Sequence, residues 1–90
     1  MIRRARITVT GIVQGVYFRY TTRRKAGEFG LGGWVRNLRD GRVQIVCEGE
    51  EEAIGKLIVW SRRGPEGAHV EGVDVDWEEA ACEFNDFRIL

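Results

Sequence analysis

The sequence predicts an α+β fold in which two helices cover one face of an antiparallel sheet. Three observations lead there. Residues 6–13, 42–48 and 73–77 alternate apolar and polar side chains, as half-buried strands do. Residues 18–29 and 50–63 instead space their apolar positions three and four apart, as one face of a helix does. Turn formers at Gly30, Asp40-Gly41 and Gly64-Pro65 punctuate these runs. With a further strand at 34–39 the order is β-α-β-β-α-β, the ferredoxin-like split βαβ pattern, and a chain of ninety residues is expected to form one domain over 1–90.

Each element follows from its residues. In 6–13, Ile7 and Val9 share one face, and Arg6, Thr8 and Thr10 share the other. Gly11 and Gly15 mark a loop where the backbone turns sharply or takes φ > 0. The first helix, 18–29, points Phe18, Thr22, Ala26 and Phe29 inward and leaves Arg23, Arg24 and Lys25 to solvent. Gly30 is placed to end it in the left-handed conformation. Trp34 and Val35 lead the second strand, Asp40-Gly41 reads as a two-residue hairpin turn, and Val43, Ile45 and Cys47 share one face of the third strand. The second helix, 50–63, carries Glu50, Glu51 and Glu52 at the positive end of its dipole and Arg62 and Arg63 at the other. Its inner stripe is Ile54, Leu57, Ile58 and Ser61, and Gly64-Pro65 stop it. After a loop at 66–71, Val73, Val75 and Trp77 alternate with Asp74, Asp76 and Glu78. A phase shift near Glu79 predicts a bulge, with Ala80, Cys82 and Phe84 continuing the strand, and residues 87–90 add a short edge strand.

Composition narrows the class. Hydrophobic content of 43% suits a globular chain and argues against disorder. No apolar run approaches the length that crosses a bilayer, and the basic N-terminus lacks the apolar segment and cleavage site of a signal peptide. A cytoplasmic protein with no membrane partner is therefore expected. Cys47 and Cys82 belong to no CxxC or Cys/His cluster, so no metal site is expected and both are read as small buried hydrophobes. Charge is lopsided: residues 1–45 hold ten Lys/Arg against two Asp/Glu, and residues 46–90 hold four against twelve. Interleaved strands would average most of this out, leaving a basic region near Arg19 that draws in a phosphorylated molecule.

The chemistry centres on residues 11–19, Gly-Ile-Val-Gln-Gly-Val-Tyr-Phe-Arg, where strand pattern gives way to helix pattern. A strand, a Gly loop and a helix start aim several backbone N–H groups at one point, and the helix dipole adds partial positive charge there. Arg19 supplies a planar fork of donors matched to phosphate oxygens. By residue type alone, an ordinary βα turn with a surface Arg explains the stretch equally well, and Asn37 reads as a turn former or hydrogen-bonding plug. Cys82 and Arg88 have the Cys-x5-Arg spacing of cysteine phosphatases, but the residues between hold two acids and no glycine. His69, the only histidine, sits in a Gly-rich loop without an evident partner. The glycines from Gly27 to Gly33 follow a helix instead of opening one, so they are no dinucleotide fingerprint. Arg36, Arg39 and Arg42 read as a solvated strand face.

This stretch resembles the acylphosphatase family. The pattern Gly11-x-Val13-Gln14-Gly15-Val16-x-Phe18-Arg19 is followed at the right distance by Gly33-Trp34-Val35-Arg36-Asn37. The likeness runs through Asp40-Gly41, Gly64-Pro65 and Phe87, over nearly the whole chain. It implies a hydrolase that splits carboxyl-phosphate anhydrides into a carboxylate and inorganic phosphate, without a cofactor. It also implies that the amides of Gln14, Gly15, Val16, Tyr17, Phe18 and Arg19, with the Arg19 guanidinium, hold the phosphoryl group. The Asn37 carboxamide would orient the attacking water. So sparse a set suffices, because phosphoryl transfer rests on positioning and charge stabilisation. The leaving carboxylate, with a conjugate acid of pKa about 4, needs no general acid. Inorganic phosphate and sulfate are expected to compete with the substrate. Leu38 stands where the family commonly has Thr, and Tyr20 where it commonly has polar residues.

Two other readings carry different expectations. One is an acylphosphatase-like domain that only binds or regulates, as in larger carbamoyl-transfer maturation proteins; a chain ending at residue 90 favours the free-standing enzyme. The other is an RNA-binding module of the same fold class, which would need aromatic side chains on the central strands. Residues 6–13 and 42–48 carry none, so no nucleic-acid partner is expected. No pocket specifying the acyl group is legible.

Overall fold

The computed structural model describes residues 1–90. It contains β1 (Ile2–Ile12), α1 (Phe18–Glu28), β2 (Gly32–Asn37), β3 (Val43–Glu50), α2 (Glu51–Arg63), β4 (His69–Glu78) and β5 (Phe87–Ile89). The sheet order is β4-β1-β3-β2-β5. The βαββαβ order is as predicted, but the sheet is mixed: β5 runs parallel to β2, and every other pair is antiparallel. The chain leaves β4 at one edge and crosses to the opposite edge, so its last strand returns in the direction of β2.

Period-two alternation sets the buried face. Ala5, Ile7 and Val9 of β1 lie opposite Cys47, Ile45 and Val43 of β3, and Val35 of β2 lies opposite Ile45. All are buried, together with Phe18, Thr22 and Ala26 of α1 and Ile54 and Leu57 of α2. Each large aliphatic or aromatic side chain buried here contributes about 1.5–3 kcal/mol. Thr22 fits this face because its hydroxyl donates to the Phe18 carbonyl at 2.8 Å, so burial leaves it satisfied. Gly30 ends α1 as predicted, with φ +71° and the Leu31 N–H reaching back to the Ala26 carbonyl at 2.8 Å.

Several boundaries differ from the sequence reading. β1 begins four residues earlier than predicted, because Arg4 and Arg6 on the open face of the sheet find carboxylates across it: Arg4 lies 2.6 Å from Glu83, and Arg6 lies 3.4 Å from Glu78. Asp40-Gly41 is not a two-residue turn. Asn37 pairs with Val43, and the connection 38–42 closes with Leu38 N–H donating to the Arg42 carbonyl at 2.8 Å. Asp40 turns toward Arg42, accepting its backbone N–H at 3.1 Å and its Nε at 2.8 Å, and this pairing holds the Asp40 carboxyl below its ordinary range. β4 begins at His69, which is therefore in a strand and not in a loop.

The bulge predicted near Glu79 is absent. β4 stops at Glu78, and residues 79–86 cross the open face of the sheet as irregular chain. Glu48, which is 6% exposed, anchors the crossing by accepting the N–H groups of Ala81 at 2.7 Å and Cys82 at 2.9 Å. Cys82 is exposed with φ +54°, contrary to the expected burial, whereas Cys47 is buried and its thiol pKa is pushed up to about 12 by that burial. The register shift in the sheet falls instead between Thr10 and Gly11, beside β4. A Cβ on Gly11 would sit 2.1 Å from the His69 carbonyl oxygen, so no larger residue fits.

Candidate active site

The loop between β1 and α1 opens at one end of the sheet. Gly15 has φ +76°, and Tyr17, the residue before the helix, has φ +63° and ψ +23°. These two left-handed residues turn the backbone so that the amides of residues 15–20 make no hydrogen bond within the chain. The start of α1 has no side-chain cap and no acidic residue in its first turn, whereas α2 opens on Glu51 and Glu52. The positive end of the α1 dipole therefore stays uncompensated. Phe18 fixes the helix start from behind, buried 5.3 Å from the Trp60 ring of α2.

An open pocket faces these amides, lined by Val13, Gly15, Tyr17, Phe18, Arg19, Tyr20, Asn37 and Ile89. Arg19 is partly buried and has neither an ion pair nor a side-chain hydrogen bond, in contrast to Arg3, Arg4 and Arg6, which all face carboxylates. Asn37 is the last residue of β2. It pairs with Val43 and lies two residues beyond Val35, so it shares the helix-covered face. Its Oδ1 is buried without a hydrogen-bond partner. An unsatisfied buried acceptor beside an unpaired guanidinium is the arrangement that a bound anion and an ordered water would complete.

Of the predicted site residues, Gly15, Tyr17, Phe18, Arg19 and Asn37 line this one pocket. The Val16 side chain packs against the core instead. The Gln14 side chain points away, its Nε2 donating to the carbonyls of Leu38 at 2.7 Å and Arg42 at 3.0 Å. Sequence reasoning missed Val13, Tyr20 and Ile89 as lining residues. Tyr20 lies off the apolar stripe of α1, and the sequence assigned it no role. Ile89 lies on β5, whose partner was not fixed by periodicity and proves to be Val35 of β2. His69, Cys82, Arg36, Arg39, Arg42 and Arg88 are all outside the pocket. No group of three or more His, Cys, Asp or Glu is arranged to hold a metal ion.

Comparison with known proteins identifies the family and the fold. The model of the family described as acylphosphatase matches residues 5–89. An acylphosphatase of Pyrobaculum calidifontis is 54% identical over 88 residues, covering 97% of this chain and 80% of that protein. One from Methylococcus capsulatus is 48% identical over 99% of this chain and 97% of its own length. The crystal structure of acylphosphatase from Bacillus subtilis superimposes with a TM-score of 0.94 at 36% identity, covering 100% of this chain and 99% of that one. Matched by the family model from Ala5 almost to its end, and about half identical to these relatives along nearly its whole length, the chain belongs to the acylphosphatase family.

Proposed function

We propose that the chain hydrolyses acyl phosphates, with the amides of loop 14–19 and the Arg19 guanidinium holding the phosphoryl group and Asn37 orienting the attacking water. The observation that carries this assignment is the buried, unpartnered Oδ1 of Asn37 in the same pocket as an Arg19 without a partner. An acceptor left in that state costs about 1–3 kcal/mol, which a water held on it would recover. The amides of loop 14–19 and the uncapped start of α1 meet the phosphoryl oxygens, and the guanidinium fork spans two of them. Water then attacks phosphorus. Its oxygen bonds to phosphorus, the bond from phosphorus to the acyl oxygen breaks, and the carboxylate leaves with the electron pair. The water's proton passes to a phosphoryl oxygen. No acid is required, since the leaving carboxylate is a weak base.

The proposal extends to inorganic phosphate and sulfate as competing anions and to no role for nucleic acid. It also extends to one domain over 1–90 acting in the cytoplasm, where two unpaired cysteines are at home. No helix is long and apolar enough to cross a membrane. Turnover of an acyl phosphate and an alkyl phosphomonoester, side by side, tests the assignment. The monoester expels an alkoxide, which lacks the help a general acid supplies, so its rate should be lower by about a hundredfold or more. Comparable rates on the two would reject the mechanism.

A further inference from the structure

We infer that the Gln14 side chain is a positioning group: its carboxamide sets the separation between the phosphate loop and Asn37 and acts on turnover through Asn37 without itself touching the phosphate, which meets only the backbone N–H of Gln14. The inference rests on the role assigned to Asn37 above. β1 and β3 pair from Ile2 opposite Glu50 to Val9 opposite Val43, and their ladder ends there. Beyond that point β1 pairs only with β4, as far as Ile12 opposite His69. The phosphate loop and the β2–β3 hairpin therefore stand side by side with no backbone hydrogen bond between residues 13–17 and 38–42.

Gln14 spans this gap. Its Nε2 donates to the Leu38 carbonyl at 2.7 Å and to the Arg42 carbonyl at 3.0 Å. These carbonyls stand at the two ends of the hairpin connection. Leu38 directly follows Asn37, and the Arg42 carbonyl also receives the Leu38 N–H that closes the connection. Both protons of the NH2 group are thus committed, so the group has no donor left for a phosphate oxygen. The clamp fixes where the end of β2, and the Asn37 carboxamide with it, stands relative to the loop amides. Released from it, the hairpin shifts against the loop, and a misplacement of about 1 Å costs on the order of a hundredfold in rate.

Gln14→Met keeps the length of the side chain and removes its donor. Its kcat on an acyl phosphate should fall about tenfold to a hundredfold, while the calorimetric Kd for inorganic phosphate stays within about threefold. In an Asn37→Ala background the same substitution should lower kcat by less than about threefold, because there is no longer a carboxamide to misplace. Phosphate affinity falling in step with kcat would put the Gln14 carboxamide in the anion cradle and overturn the inference. Undiminished loss in the Asn37→Ala background, or an unchanged kcat in the single variant, would overturn it as well. Normal turnover by Asn37→Ala would reject the role of Asn37 itself, and is read on a chain with Gln14 intact. Gln14→Glu gives an independent measurement should the Met variant not fold. Above the ordinary carboxyl pKa of about 4.3 it only accepts, and below it regains one donor. Its kcat relative to the unsubstituted chain should rise as pH falls through that value, and a flat ratio would overturn the inference.

Discussion

Asn37 is the residue on which the proposed reaction turns, because the fold buries its carboxamide oxygen and gives it nothing to bond. Asn37→Ala should remove most turnover and leave inorganic phosphate affinity largely intact. Asn37→Asp is nearly isosteric but brings a carboxylate to a phosphoryl group. Two like charges about 4 Å apart repel by roughly 4 kcal/mol at an effective dielectric near 20. The Asp variant should therefore lose both turnover and phosphate binding, and calorimetry with inorganic phosphate separates the two variants. Equal affinities would place Asn37 away from the phosphate. Arg19 has a matching test. Lysine keeps the charge but loses the planar fork, so Arg19→Lys should cut turnover roughly tenfold to a hundredfold. Near-normal turnover would mean that the guanidinium acts only as a distant charge.

At the scale of elements, the two ends of the strands do different work. One end carries the loop proposed to hold phosphate, the start of α1 and the hairpin with Asn37. The other end is tied by the crossing segment 79–86, whose anchor is Glu48. Its two oxygens each accept one amide N–H, and Arg4 lies 3.8 Å away. Glu48→Gln keeps one acceptor oxygen and turns an NH2 group on the other amide. It should destabilise the fold by about 2 kcal/mol, seen as a lower urea midpoint with an unchanged slope. Turnover well below the transition should not change, because Glu48 lies at the opposite end of β3 from Val43, the partner of Asn37. A change in turnover without a change in midpoint would contradict this division.

Over the whole molecule, the basic first half and the acidic second half are brought together by the place of β1 between β4 and β3. The N-terminal amine reaches Glu50 at 2.7 Å, Arg3 reaches Glu51 at 2.8 Å, and Arg4 reaches Glu83 at 2.6 Å. These pairs cancel much of the sequence asymmetry, while Arg19, Arg23 and Arg24 of α1 have no ion pair and leave the loop between β1 and α1 in a basic field. Anything that binds the folded chain there stabilises all of it. Inorganic phosphate at about 100 times its Kd should add about 2.7 kcal/mol and raise Tm by on the order of 10 °C. A scanning fluorimetry series in phosphate measures this, and Arg19→Ala should abolish the shift.

Local pattern by itself determined the helices and the sheet-facing residues. Phe18, Thr22 and Ala26, and Ile54, Leu57 and Ser61, lie where helical spacing puts them, because burial follows period once a face is committed to a core. The two motifs that carry the family likeness also held Arg19 and Asn37; residue type alone left Asn37 a turn former or hydrogen-bonding plug. What the tertiary structure alone decided lies between elements distant in sequence. Residues 79–86 alternate like a strand, yet they cross the open face because Glu48 and Arg4 offer their amides and acids better partners than a sheet edge would. The sequence offered Gln14 only as a backbone amide of the loop, and its side chain donates both Nε2 protons to Leu38 and Arg42. No local rule states which carbonyls a side chain will meet when the ladder between β1 and β3 stops at Val9 and Val43 and leaves two loops facing each other. That meeting depends on strand order and register, which are settled by long-range pairing and by the packing of both helices on one face.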